Sequence, residues 1–490
     1  MPKLDLSLFF LIPLIAAIAM PFASKFLHSR GANILAVLTG LVLAGFSLCL
    51  VASPQQAWLD GASIGVPSIN AHGVHLQADA VSRLFVLLIN TIGLACLIYA
   101  TDYLDHLEGR AKFYGLFLIL LLGLNGVVLV SDLFSLYVYL EVASIASYML
   151  VAFTLKFDGI ESALKYLLLS VVGTAMVLIG LALVYMNLGT LEFVGVKAAL
   201  AANPANWRLY LFIGALFVTG FGLKSAIMPF HAWLPDAHPS APAPVSAILS
   251  GVVIKVAGVY SLIRIFLDLY PRTPQIQNVF VILGIVSMAF GAIIAYYQDD
   301  IKRMLAYSSI SQIGYIMIGL GIGNPLAIAG ALFHILNHAQ FKSLLFLNSG
   351  AIQYRTGTRS MTEMGGLENR MPITSTTSVF GTLSIAGIPP FNGFWSKLFI
   401  ILGAIQAHRY GVATLAALFS IFTLGYFLVI QRKVFFGKLN LKWQDLKEAP
   451  LAMSVSVILL AASCLLTGVF FHPIMSQVIE PAAAVLMGGK

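Results

Sequence analysis

Lys224-Ser-Ala-Ile-Met-Pro-Phe-His-Ala-Trp-Leu-Pro-Asp-Ala-His-Pro-Ser-Ala-Pro-Ala-Pro244 interrupts an otherwise apolar tract. The run before it, from about residue 209, is apolar enough to be a helix, and Pro229 removes the N–H that would continue it. A proline-rich loop follows, and a second apolar run at 243–267 carries Lys255 within Gly251-Val-Val-Ile-Lys-Val-Ala-Gly258. A lysine just before a break and another twelve residues from either end of a helix are hard to place in a soluble protein. In a membrane protein, by contrast, broken helices occur where they line a polar cavity.

The rest of the chain agrees. Of its 490 residues 59% are hydrophobic and 10% are charged, with a mean hydropathy of +0.92. Soluble domains carry about 25% charged residues. Apolar runs of spanning length fall at roughly 6–24, 31–52, 80–101, 113–130, 133–154, 161–186, 209–228, 243–267, 276–296, 303–322, 325–349, 373–404, 411–431 and 450–472. The expectation is a single all-α polytopic transmembrane domain over 1–490 with 14 spans, the seventh and twelfth broken. The twelfth is too long for one straight helix and contains Gly387-Ile-Pro-Pro390. Polar stretches at 53–78 and 433–449 read as loops with a surface helix or turn.

Lysine and arginine number 16 in loops after odd spans, Lys302 among them, and 5 in the loops and edges after even spans, Arg264 among them. The odd loops therefore face the cytoplasm and both termini lie outside, in a membrane that reads as a prokaryotic cytoplasmic one. The net charge of +8 is scattered, which excludes a nucleic-acid patch. Cys49, Cys96 and Cys464 stand apart with no ligand spacing, so no cofactor and no metal is expected on this chain.

Four ionisable residues lie well inside spans: Glu141, Lys224, Lys255 and Lys397. Each costs about 2.5–3.5 kcal/mol at the centre of a lone helix, on the order of 10 kcal/mol together, so they must face one another or internal water. Tyr137, Ser144 and Tyr148 share the helix face of Glu141. His334, His338 and Lys342 recur at intervals of four on one face of the eleventh span, beside Asn337. A neutral imidazole accepts on one nitrogen and donates from the other, which suits a hydrated proton path; satisfied structural histidines are the plainer alternative. Tyr307, Ser308, Ser311, Gln312 and Tyr315 form a matching polar stripe on the tenth span. His231, Asp236, His238, Asp132 and Asp300 sit near span ends, as interfacial caps or as parts of a channel mouth.

Three stretches are together highly specific: Lys224 through Asp236-Ala-His238 to Lys255, Asp300-Ile-Lys-Arg-Met-Leu-Ala-Tyr-Ser308-Ser-Ile-Ser-Gln312-Ile-Gly314, and Gly387-Ile-Pro-Pro-Phe-Asn-Gly-Phe-Trp-Ser-Lys397. The chain resembles, from about 79 to 435, the antiporter-like membrane subunits of complex I, Mrp-type sodium/proton antiporters and energy-converting hydrogenases. Lys397 and the stretch around Lys255 look most like hydrogenase-type or Mrp D-type subunits, with a middle complex I subunit as the alternative. The resemblance implies two inverted five-helix repeats, helices 4–8 over 113–267 and helices 9–13 over 276–431. It also implies a Glu141–Lys224 pair, a central Lys255, bridging His334 and His338, and Lys397 as the lysine of the second half. Implied partners are other antiporter-like and small membrane subunits and, indirectly, soluble redox subunits. A stand-alone cation/proton exchanger is the rival from another class.

Overall fold

The computed structural model of the chain describes residues 5–53, 63–64, 74–202 and 206–488. Helices dominate, and a two-residue ribbon pairs Ser63–Ile64 with Val74–His75. Most of the polar stretch expected at 53–78 lies outside the described residues.

Twelve helices among the described residues are long and apolar enough to cross a membrane, which makes this a multi-pass membrane protein. The first two belong to one helical run, Leu8–Ala52, as Leu8–Phe26 and Arg30–Ala52. Then come Ala80–His106, Arg110–Leu129, Leu133–Val151, Phe157–Leu188, Trp207–Ser225, Ala243–Leu269, Pro274–Tyr296, Ile301–Ile322, Tyr410–Phe435 and Leu451–Val469. The sequence expectation had two more. One is Pro325–Thr356, long enough at 32 residues but laden with His334, Asn337, His338, Gln340 and Lys342. The other is split into Pro372–Ala386 and Asn392–Gln406, each of 15 residues and too short alone. Polarity and breakage, the marks of an interior lining, are what set these two apart.

Local chemistry fixes the helix ends. The carboxylates of Asp79, Asp132 and Asp300 cap their helices by accepting from Ser82, Ser135 and Arg303 backbone N–H groups. Of the two readings for Asp132 and Asp300, the cap is therefore realised. In the region expected as a loop at 433–449, residues 433–435 complete the Tyr410–Phe435 helix, and short turns follow, including Leu441–Trp443.

Small residues set the tightest packing. A side chain at Gly314 would meet the Gly284 carbonyl at 2.5 Å, so Pro274–Tyr296 and Ile301–Ile322 touch backbone to backbone. The outer faces are apolar and uncovered, with Ile15, Ile18, Leu168, Ile179 and Ile421 exposed as lipid-facing residues are.

Candidate functional site

The two breaks build the two ends of the site. Before the first, Ala226 ends Trp207–Ser225 in a left-handed conformation with φ +53°, and Gly387 does the same before the second with φ +80°. Each is followed by Ile, one further residue, Pro and Phe: Ala226-Ile-Met-Pro-Phe230 and Gly387-Ile-Pro-Pro-Phe391. The indole of Trp233 folds back over the first break, donating to the Leu223 carbonyl at 2.8 Å and stacking on Tyr166 at 3.9 Å. That donor compensates a carbonyl stripped of its helical partner.

At the first break Lys224 is buried. Its ammonium donates to Ser144 at 2.6 Å, to Tyr148 at 3.4 Å and to Ser170, and lies 3.9 Å from a Glu141 carboxylate oxygen. That oxygen is buried and has no hydrogen-bond partner, although the Glu141 side chain is 27% exposed. The pair is thus loose, and the hydroxyls hold the lysine. Ser144 and Tyr148 behave as their helix face foretold. Tyr137, on the same helix face, packs on Phe134 and is not among the hydroxyls bonded to Lys224. Ser170, from Phe157–Leu188, was not foreseen, because one serine in an apolar helix carries no signal in sequence.

Lys255 sits inside Ala243–Leu269, which three π-turns widen, Leu249–Val253 and Lys255–Tyr260 around the lysine and Arg264–Leu269 at the end. Widening frees carbonyls, and the ammonium takes those of Ser250 and Gly251. Gly258 brings this helix against the first break, since a side chain there would collide with Ser225. Ser250 also reaches across to Ser309, 2.8 Å between hydroxyls.

The histidines lie on Pro325–Thr356, fully buried. His334 bonds Ser396 through Nδ1 at 2.9 Å and stands 5.8 Å from the Tyr315 ring; His338 is 6.2 Å further on, with neither nitrogen partnered by protein. Lys342 donates to the Leu305 carbonyl at 2.8 Å and to Ser308. Lys397, next to Ser396, donates to the Ile385 carbonyl at 2.7 Å and to Ser420 at 3.2 Å, and lies 4.9 Å from the centre of the Tyr315 ring. Counted back from the left-handed residue of each break, Ile385 occupies the place of Lys224, so the Lys397 ammonium bonds the backbone at the position matching the first lysine.

The remaining candidates divide. Asp236 is an ion-pair acceptor for Lys165 at 3.3 Å and Arg303 at 3.0 Å, and Asp300 pairs with Arg359 at 2.8 Å. His231 is half-buried against Phe290, and burial depresses its pKa in the loop after the break. His238 is buried, stacked on Phe346, with both nitrogens unpartnered. Ser311 donates to the Met288 carbonyl, while both polar atoms of the Gln312 amide lack a protein partner. Two cations counted as loop charges prove buried. Lys302 donates to the Ala241 carbonyl at 2.9 Å, and Arg264 grips Asp79 with two bonds of 2.6 Å. Position near a span end did not reveal that the neighbouring helix supplies their acceptors.

In chain order these groups are a loose acid–lysine pair, a central lysine, two imidazoles and a third lysine. The sequence carries a family signature: residues 130–423 match the model described as NADH:quinone oxidoreductase/Mrp antiporter, TM. The chain belongs to that family. Residues 69–114 match a second model, the N-terminus of chain 5 of NADH-ubiquinone oxidoreductase. NADH-quinone oxidoreductase subunit N of Desulforudis audaxviator is 34% identical, with 84% of this chain and 85% of the relative covered. The D-type Na(+)/H(+) antiporter subunit of Alkalihalophilus pseudofirmus is 32% identical, with 84% of each covered. Among solved structures, a chain of the membrane-bound sulfane sulfur reductase, an archaeal respiratory membrane complex, superposes with a TM-score of 0.88. It is 28% identical, with 98% of this chain and 97% of that chain covered.

Proposed function

We propose that this chain is the proton-translocating subunit of a larger energy-converting membrane complex. The observation that carries the reading is the set Glu141, Lys224, Lys255, His338, His334 and Lys397: the three lysines are buried and held by hydroxyls and carbonyls, and no tight counter-ion fixes any of the six. Ionisable groups inside a membrane mark ion pathways, because their burial is costly. A tight salt bridge would fix the charge; hydroxyls and carbonyls leave it free to leave as a proton.

In this reading a proton enters from the cytoplasmic side near Lys224, passes Lys255 and the histidines, and reaches Lys397. Moving Glu141 away from Lys224 changes the lysine's hold on its proton, and the neighbouring subunit drives that movement. The part-exposed Glu141 side chain supports such a neighbour. The same reading makes helices 4–8 (113–267) and 9–13 (276–431) two inverted repeats within a 14-span chain, supported by the matched breaks. Both termini face outside a prokaryotic cytoplasmic membrane. Other antiporter-like and small membrane subunits flank the chain, soluble redox subunits supply the energy indirectly, and the chain itself binds no cofactor.

Replacing Lys224 or Glu141 by Ala in the native complex, reconstituted in sealed vesicles, is expected to stop proton uptake while the complex assembles. Undiminished uptake in both variants refutes the proposal. Uptake that requires sodium identifies Na+ as the exchanged ion.

A further inference from the structure

We infer that Gln312 is a positioning residue of the central crossing, its amide holding a water between Lys255 and His338. The inference rests on the translocation reading above and assigns a group that the relay leaves out.

Three helices meet at this level, and contacts on either side fix their register. Ile301–Ile322 and Pro325–Thr356 run antiparallel, tied at one point by Lys342 to Ser308 and at another by His334 against Tyr315. Between Ser308 and Tyr315 on the first helix lies Gln312, and midway between Lys342 and His334 on the second lies His338. The two therefore face each other. Ala243–Leu269 packs alongside, with Ser343 bonded to the Ala247 carbonyl and Gly251 against the Ala339 carbonyl and Ser343. One further turn brings Lys255 level with His338. From the other side, Ser250, whose carbonyl holds the Lys255 ammonium, bonds Ser309, one turn before Gln312.

At this level both polar atoms of the Gln312 amide and both nitrogens of His338 are buried without a protein partner. Buried polar groups go unpaired only at a high cost, and a water held by two to four of them removes it. An amide suits the position because it offers two N–H donors and an acceptor oxygen without titrating. It accepts one water proton and leaves the other aimed at the imidazole, or donates to the water oxygen when the flow reverses. The transfer balances without a further reactant. An N–H bond of the Lys255 ammonium breaks as an O–H bond forms on the water, and another O–H bond of that water breaks as an N–H bond forms on His338. The lysine is left neutral and the imidazole cationic.

The test uses the assembled complex in sealed vesicles. Gln312→Met keeps the length of the side chain and removes its hydrogen bonds, Gln312→Leu is a second apolar variant, and Gln312→Asn keeps an amide one methylene shorter. Both apolar variants are expected to lower proton uptake about tenfold, with Gln312→Asn restoring part of it. The nitrogen-15 resonances of the His338 ring should move in Gln312→Met and return towards the wild-type positions in Gln312→Asn. Wild-type uptake in an assembled apolar variant overturns the inference. So does an equal loss in all three with the His338 signals unmoved, which would make Gln312 a packing residue. If His338→Leu also transports at the wild-type rate, the relay itself falls. If His338→Leu loses transport and Gln312→Met does not, only the water-positioning role falls.

Discussion

The two ends of the proposed line hold their lysines differently. Lys224 has side-chain hydroxyls from two other helices and a carboxylate 3.9 Å away. Lys397 has a backbone carbonyl, one serine and the face of Tyr315, and among the described residues no ion pair reaches it. A carboxylate at that distance retains a strong pull that a small displacement changes, whereas a carbonyl and an aromatic ring are fixed dipoles. The first end is thus the one an outside event can tune, and the second responds to the charge on the central histidines through Ser396, which bonds His334 at 2.9 Å.

Changes at either end test that contrast. Lys397→Ala removes the terminal carrier, and proton uptake by the reconstituted complex should fall about a hundredfold, on the scale of losing a proton-transfer group. Ser420→Asp would give Lys397 the carboxylate it lacks. A fixed ion pair there should cut uptake about tenfold, and a rate equal to wild type would erase the distinction between the ends. Tyr315→Leu takes away the ring 4.9 Å from Lys397. A cation–π contact of about 1 kcal/mol corresponds to about a fivefold loss. Ser170→Ala removes one of the hydroxyl acceptors of Lys224 and should cost about threefold, because Ser144 and Tyr148 remain.

The contrast also shows what sequence could carry. Charges at mid-span, histidines at intervals of four and prolines inside apolar runs are departures from the local pattern, so Glu141, Lys224, Lys255, His334, His338, Lys397 and both breaks were legible. The acceptors were not. Ser170, Ser250, Ser309, Ser396 and Ser420 are common residues in apolar helices, and only packing decides which of them meets a lysine, an imidazole or another serine. Helix periodicity finds neighbours on one helix, but of the three it placed on the Glu141 face only Ser144 and Tyr148 bond Lys224, and Tyr137 packs on Phe134. Lys302 and Arg264 misled in the other direction. Near a span end a cation reads as solvated, until a neighbouring helix brings a carbonyl or a carboxylate to it.

The central claim is that these two unlike ends belong to one line. It is tested most directly by cutting the middle while leaving both ends intact, with Lys255→Ala in the assembled complex and proton uptake followed in sealed vesicles. The account expects uptake to fall at least about tenfold, although Lys224 and Lys397 keep all their partners. Uptake at the wild-type rate in an intact Lys255→Ala complex would mean that protons do not cross between the halves, and would contradict it.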